Sequence, residues 1–249
     1  MSNIFHKEDF SKVLAKHGMI LQEHQLRQFE EYASMLIEWN QKINLTAITD
    51  PDEIYEKHFL DSILPSFDMS IQGSFCDVGA GAGFPGIPLK IIYPELELTI
   101  VETLGKRITF LNALCDKLQL KGVTCVHERA EVYAKDHRES FDIVSARSVA
   151  NLPLLSELCI PLVKPQGCFL ALKGANGDEE YALAEKAIRL LGCEMKQRDV
   201  HTLSDGSQRI NFVFEKTRRT PKKYPRPFAQ MKKNQIGRAS CRERVCLYV

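Results

Sequence analysis

Residues 75–83 read Phe-Cys-Asp-Val-Gly-Ala-Gly-Ala-Gly, and an acid, Glu102, closes the next apolar run, Leu98-Thr-Ile-Val-Glu102. Phe75 to Val78 has the composition of a short strand. Glycines behind it permit a tight turn and close approach of backbone to a ligand. A carboxylate at the tip of the following strand, roughly 20 residues past the glycines, is placed to accept hydrogen bonds from ribose hydroxyls. A structural glycine turn alone does not call for that acid. The pair of signals points to a nucleoside-bearing cofactor.

Which cofactor depends on the flanking residues. Gly81-Ala-Gly83-Phe-Pro-Gly86 also fits the dinucleotide pattern G-x-G-x-x-G. However, Asp77 stands where a dinucleotide site usually has an apolar strand residue. Pro85 and Pro88 bracket the third glycine, and proline is tolerated in a first helical turn but not deeper. The helix must therefore start late, after a broad loop. The Asp77-Val-Gly79-x-Gly81-x-Gly83 loop with its ribose acid resembles the S-adenosylmethionine site of Rossmann-like methyltransferases. That cofactor has no pyrophosphate and less need of a helix N-terminus delivered by a tight turn.

These residues need elements to hold them. Residues 1–65 read as a helical cap: Phe10, Val13, Leu14 and His17 share one face, and Leu26, Phe29, Ala33, Leu36, Ile37 and Asn40 follow helical spacing. Thr49-Asp50-Pro51 suits a helix start. From Ser74 the pattern alternates. Strands are predicted at 74–79, 97–102, 123–127, 141–145, 167–173, 194–201 and 209–216, with helical stretches such as Lys106 to Leu118 and Asp178 to Leu191 between the first six. Such alternation implies parallel strands with helical crossovers. The short polar loop Leu203-Ser-Asp-Gly-Ser207 makes the last two strands an antiparallel hairpin. The predicted class is α/β, Rossmann-like, with a seven-stranded, mostly parallel sheet over residues 66–217.

Composition sets bounds. The chain has 249 residues, 44% hydrophobic and 26% charged, with a net charge of +1. These are ordinary values for a globular protein and carry no global nucleic-acid signal. No apolar run of membrane-spanning length appears, and the N-terminus is too polar for a secretory signal. Eight cysteines lie mostly within apolar patterns without a C-x-x-C pair. The expectation is buried free thiols in a reducing cytoplasm and no metal site.

Charge is concentrated locally. Residues 216–233 hold eight basic residues and no acid. Prolines prevent a regular helix there, and Tyr224 and Phe228 punctuate the run. Residues 218–234 are expected to form an RNA-contacting tail, with Arg218, Arg219, Lys222, Lys223 and Arg226 meeting phosphate. Residues 235–249 fit no element and read as foreign or vector-derived sequence.

Several blocks resemble the bacterial 16S ribosomal RNA guanine-N7 methyltransferases, the glucose-inhibited division protein B family, over about residues 10–226. They are Trp39-Asn-Gln-Lys-Ile-Asn-Leu-Thr46, His58-Phe-Leu-Asp-Ser62, Asp77 to Pro88, Glu102 with Lys106-Arg107, Arg129-Ala-Glu131, Ala146-Arg147-Ser-Val-Ala150, Lys173-Gly174 and the Arg-Arg-Thr-Pro-Lys-Lys-Tyr-Pro-Arg run. The chain departs from the family's usual ending after Arg226. The resemblance implies S-adenosylmethionine as cofactor, with Gly79 and Phe84 lining its pocket and Ala130-Glu131 at its adenine end. It implies that Arg147 reaches toward the reacting centre, and that the partner is 16S ribosomal RNA or a small-subunit particle met by a cytoplasmic monomer.

The residues themselves agree in part. Glu131 and Arg147 follow predicted strands and Lys173 ends one, all at the carboxyl edge where such folds bind ligands. Guanine N7 is a lone-pair acceptor, so its methylation needs no general base. Arg147 and Lys173 are therefore candidates for positioning rather than proton transfer. Asn40, Asn44, His58 and Asp61 read as capping and buried hydrogen-bonding groups between cap and core. Two other functions fit the same residues: a dinucleotide-dependent oxidoreductase using Gly81, Gly83, Gly86 and Glu102, and a non-catalytic RNA-binding assembly factor.

Overall fold

The computed structural model describes residues 5–237. Seven strands, β1 (Ser74–Val78), β2 (Glu97–Glu102), β3 (Val123–His127), β4 (Phe141–Arg147), β5 (Val163–Gly174), β6 (Cys193–Thr202) and β7 (Gln208–Lys216), form one sheet in the order β3-β2-β1-β4-β5-β7-β6. Pairings from β3 through β5 are parallel; β7 runs antiparallel to both β5 and β6. The α/β class and terminal hairpin expected from the sequence are therefore present. Chain order reverses direction between β1 and β4, the switch point where open α/β sheets bind ligands.

The crossovers are α5 (Gly86–Ile92), α6 (Gly105–Lys117), α7 (Ala130–Asp136), α8 (Leu152–Cys159) and α9 (Gly177–Leu191). Helix α5 does start late, after the glycine loop. Its first amide, on Gly86, donates to the Asp77 carboxylate at 2.7 Å.

The N-terminal helices are α1 (Lys7–Lys16) and α2 (Glu23–Ile43). A short α3 (Pro51–Glu53), capped by Asp50, then runs through a π-helical turn, Ile54–Leu60, into α4 (Asp61–Ile63). In α2 the buried residues Phe29, Tyr32, Ala33 and Leu36 recur at helical spacing. They share one apolar cluster with Phe59, Ile87, Phe110 and Leu114. The cap thus has no core of its own: it covers α5, α6 and one face of the sheet. Tyr32 fixes this docking by donating its hydroxyl to the Ala82 carbonyl at 2.6 Å. The other face is a second cluster built on α7, α8, α9 and α10 (Phe228–Lys233).

The predicted basic tail is a docked strap. Lys216 is fully buried and its ammonium donates to the carbonyls of Ile160 and Val163 and to Thr220 Oγ1. Tyr224 is buried rather than offered for base stacking. Arg226 forms a two-pronged ion pair with Glu157 and so is committed within the fold, not to phosphate. Gln235 and Ile236, placed in the foreign segment by the sequence reading, still touch Asn151 and the second cluster; residues 238–249 lie outside the described residues.

Candidate cofactor cleft

The carboxyl ends of β1, β2 and β4 converge on a cleft of 330 Å³. Its walls carry Gly79, Glu102, Arg107, Ala130, Glu131 and Val149, and Phe228 of α10 closes one side. A larger depression, 670 Å³, lies between α2 and the end of α6 among charged surface side chains such as Arg27, Glu31 and Lys117. It lies by the amino ends of β2 and β3, away from the carboxyl ends.

Glu102 is the polar centre of the cleft. It is 2% exposed. One carboxylate oxygen accepts the amides of Thr103 at 2.8 Å and Leu104 at 3.0 Å. The other accepts the Gly81 amide at 3.0 Å and a longer contact from Arg107 Nη1 at 3.4 Å. Three backbone donors hold the group in place, and the arginine is the weakest partner. Gly81, at φ +60°, has no neighbour closer than Arg107 at 4.0 Å from a notional Cβ, so a side chain there enters open space at the rim. Gly83 serves differently. A Cβ there meets Tyr32 Oη at 2.7 Å and Ile87 at 2.8 Å, so this glycine permits cap docking rather than ligand approach. Beneath the loop, Asp77 Oδ1 and Ser145 Oγ are buried and, among the described residues, lack a partner at full hydrogen-bond geometry, although the Ser145 hydroxyl lies close enough to favour Asp77 ionisation. Burial pushes the Asp77 carboxyl up to about 7, against the Gly86 amide and the Arg147 charge, which favour ionisation.

The predicted site residues divide into two groups. Gly79, Glu102, Ala130 and Glu131 line the cleft together. Glu131 is held by Arg129, whose guanidinium also stacks over Phe228 at 4.6 Å. Asp77 and Gly83 support the loop from behind. Phe84 faces the cap, stacked on Tyr32 and on His58 with ring centroids 5.4 and 4.5 Å away.

Arg147 also turns toward the cap. It donates to Asp61 at 2.9 Å, the Lys57 carbonyl at 3.1 Å and His58 Nδ1 at 3.2 Å, and lies 4.8 Å over the Phe84 ring. The His58 ring is neutral: burial first, then the Arg147 charge, lower it to about 3. With Nδ1 accepting from arginine, Nε2 carries the proton and donates to Thr46 Oγ1 at 2.7 Å. Asn40 Oδ1 in turn accepts the amides of Leu45 and Thr46. Asp61 completes the set by bridging Arg147 to Arg209 of β7. The polar residues of the Asn-Leu-Thr and His-Phe-Leu-Asp blocks thus form one chain of contacts ending on Arg147.

Lys173, expected from the sequence as a positioning residue of the reacting centre, does not line the cleft. Its ammonium donates to the Ala150 carbonyl at 3.0 Å and pairs with Glu180 at 2.7 Å, tying β5 to the loop that carries Val149. Thr103, Ser148 and Val149 line the cleft without having been singled out from the sequence. Their positions directly after β2 and β4 were the available signal. Nothing local marks Phe228 as a cleft residue, since it arrives from the far end of the chain.

The model of the rRNA small subunit methyltransferase G family, GidB, matches residues 25–211. The chain belongs to this family. Curated relatives named ribosomal RNA small subunit methyltransferase G include those of Bacillus velezensis, 52% identical over 224 residues, and Oceanobacillus iheyensis, 52% identical over 226 residues. Each comparison covers 88% of this chain and 94% of the relative. Among solved structures, M. jannaschii TYW2 in complex with AdoMet superposes with a TM-score of 0.51 at 15% identity, covering 64% of this chain and 76% of that one. P. horikoshii TYW2 in complex with MeSAdo gives 0.50 at 11%, covering 64% and 62%. These likenesses concern the fold. The methyltransferase G family uses S-adenosylmethionine, and the residues lining the cleft fit that group. A buried carboxylate meets the ribose requirement, an open glycine rim admits the backbone approach, and the aromatic and small side chains of Phe228, Ala130 and Val149 suit a purine.

Proposed function

We propose that this protein transfers the methyl group of S-adenosylmethionine to N7 of a guanine in 16S ribosomal RNA, acting as a cytoplasmic monomer. The observation that carries the reading is the Glu102 carboxylate fixed beside Gly79 and Gly81 at the β1/β4 switch point, in a chain of the methyltransferase G family. The dinucleotide reading has no such support, and among the described residues no helix is long and apolar enough to cross a membrane.

The residues divide the work. Glu102 would accept the ribose hydroxyls in place of the long Arg107 contact. Gly79 and Gly81 would let the backbone approach, and Ala130 with Phe228 would hold the adenine. S-adenosylmethionine, when bound, supplies a sulfonium-activated methyl group. Guanine N7 offers a lone pair and carries no proton, so no protein group would have to move a proton. The protein's task is alignment and exclusion of water, worth up to roughly 7–11 kcal/mol in favourable cases. Arg147 stands at the edge between cap and cleft, where a planar fork can orient guanine O6 or a flanking phosphate. His58 and Asp61 hold that fork, and Lys173 holds the loop opposite it; all three act as positioning residues.

The test is methyl transfer from labelled S-adenosylmethionine to a 16S rRNA transcript and to small-subunit particles, followed by mapping of 7-methylguanosine. Labelled 7-methylguanosine at one site supports the proposal. Transfer to another atom, or to no RNA, overturns it.

A further inference from the structure

The exposed cations of the strap do not surround the cleft. In the β5–β7 pairing, Gly174 stands opposite Arg209 at the cleft edge of the sheet, whereas Cys168 stands opposite Glu215. Lys216, where the strap begins, is therefore at the far edge, about 23 Å away at the usual strand rise. Arg218 and Arg219 leave the sheet there. With Lys186 and Arg189 of α9 they line a surface hollow of 520 Å³. Lys222 and Lys223 follow, both exposed. Three acids are close among the described residues: Glu185 pairs with Arg189, Glu194 shares a hollow with Arg189 and Arg218, and Glu139 lies largely buried under Arg219 at 4.0 Å. The patch therefore keeps a clear excess of positive charge.

The backbone that carries the strap cations is held rigidly. Arg138 donates to the carbonyls of Thr220, Pro221 and Tyr224, the Thr220 amide donates to Glu139, and Lys216 is sealed beneath. Between these anchors the basic side chains stand outward from fixed positions. The strap then climbs past Glu157 to Phe228 on the cleft wall. One continuous segment thus joins the cation patch at the far edge of the sheet to the reacting edge. This layout matches a polyanion continuous with the target nucleotide better than it matches a compact acidic ligand.

We propose that the Lys186/Arg189/Arg218/Arg219/Lys222/Lys223 patch is a distal anchor for folded RNA. The preferred substrate then spans both edges of the sheet, and a short oligonucleotide bearing the target guanine cannot reach the patch. The proposal rests on the RNA methyltransferase reading above.

The experiment compares a 16S rRNA transcript with a short guanine-containing oligonucleotide cut from it, in the full chain and in the Arg218/Arg219/Lys222/Lys223→Ala variant. The expected result is a higher KM for the transcript with kcat and S-adenosylmethionine affinity unchanged, so that the transcript's advantage over the oligonucleotide shrinks. Loss of four phosphate contacts should also remove about 50- to 150-fold of the affinity change between about 50 and 200 mM salt. A second variant, Lys222→Glu/Lys223→Glu, repeats the test away from the strap's internal anchors, with a thermal melt to show folding. An unchanged transcript KM and salt slope in folded variants overturns the distal anchor. If the wild type methylates neither RNA, the underlying reading fails instead.

Discussion

Replacing Glu102 by Gln probes the cofactor site with least damage to the loop. Five donors already meet this carboxylate: three backbone amides at 2.8–3.0 Å, the Thr103 hydroxyl at 3.3 Å and Arg107 at 3.4 Å. A carboxylate offers about four lone-pair sites, so ribose hydroxyls must displace a partner, and the long arginine contact is the one to yield. Alanine would strip all three amides and loosen the glycine loop. Glutamine keeps one oxygen for Thr103 and Leu104 but turns an NH2 group toward Gly81 and the ribose. The lost charged hydrogen bonds are worth roughly 1.5–3 kcal/mol, or about 10- to 150-fold in affinity. Arg107→Ala supplies the contrast. Its pair is one-third exposed on the arginine side and long, so its removal should change affinity by no more than about fivefold. Calorimetric titration with S-adenosylmethionine, beside a thermal melt, measures both. A folded Glu102→Gln variant with wild-type affinity would falsify the ribose assignment, and a large loss from Arg107→Ala would show that the arginine contacts the cofactor.

Arg147→Lys should lower turnover about 10- to 100-fold through misplacement of the base, with cofactor affinity unchanged; equal kcat in mutant and wild type removes Arg147 from the site. Asp61→Asn leaves Arg147 and Arg209 without their shared counter-charge, so denaturant titration should show a loss of roughly 3–5 kcal/mol, and a neutral result refutes the bridge. Gly83→Ala should destabilise the fold through its contacts with Tyr32 and Ile87, whereas Gly81→Ala, which meets no neighbour but is strained by roughly 1–3 kcal/mol at φ +60°, should destabilise less and weaken cofactor binding; the reverse pattern in melting and calorimetry contradicts the division of the loop. Two buried groups oppose each other in pH dependence. Asp77, raised from 3.8 to about 7, contributes stability that is present at acid pH and lost as pH rises toward 7. His58, lowered from 6.5 to about 3, contributes stability that is full above 6.5 and lost as pH falls. Between about pH 4 and 6.5 the slopes nearly cancel. Asp77→Asn should leave stability rising with pH by about 1.4 kcal/mol per unit, and His58→Gln should leave it falling. Parallel wild-type and mutant slopes in denaturant titrations would refute both assignments.

Local pattern was enough for the frame and for one half of the site. Strand and crossover periodicities are local properties of the backbone, so seven strands and a late-starting α5 could be read before any contact was known. Gly79, Gly81 and Glu102 were legible for the same reason: each sits at a strand end, and parallel topology brings those ends to one edge. The long, charged side chains were not legible in this way. Arg147 and Asp61 are 86 positions apart, and Lys173 reaches back to Ala150 across a crossover. A flexible side chain chooses its partners only after distant elements have packed, and the sequence does not record that choice. Packing likewise turned the basic run from a free tail into a strap. Burial of Lys216 and Tyr224, and the pairing of Arg226 with Glu157 of α8, depend on a groove that exists only once that face of the sheet is covered.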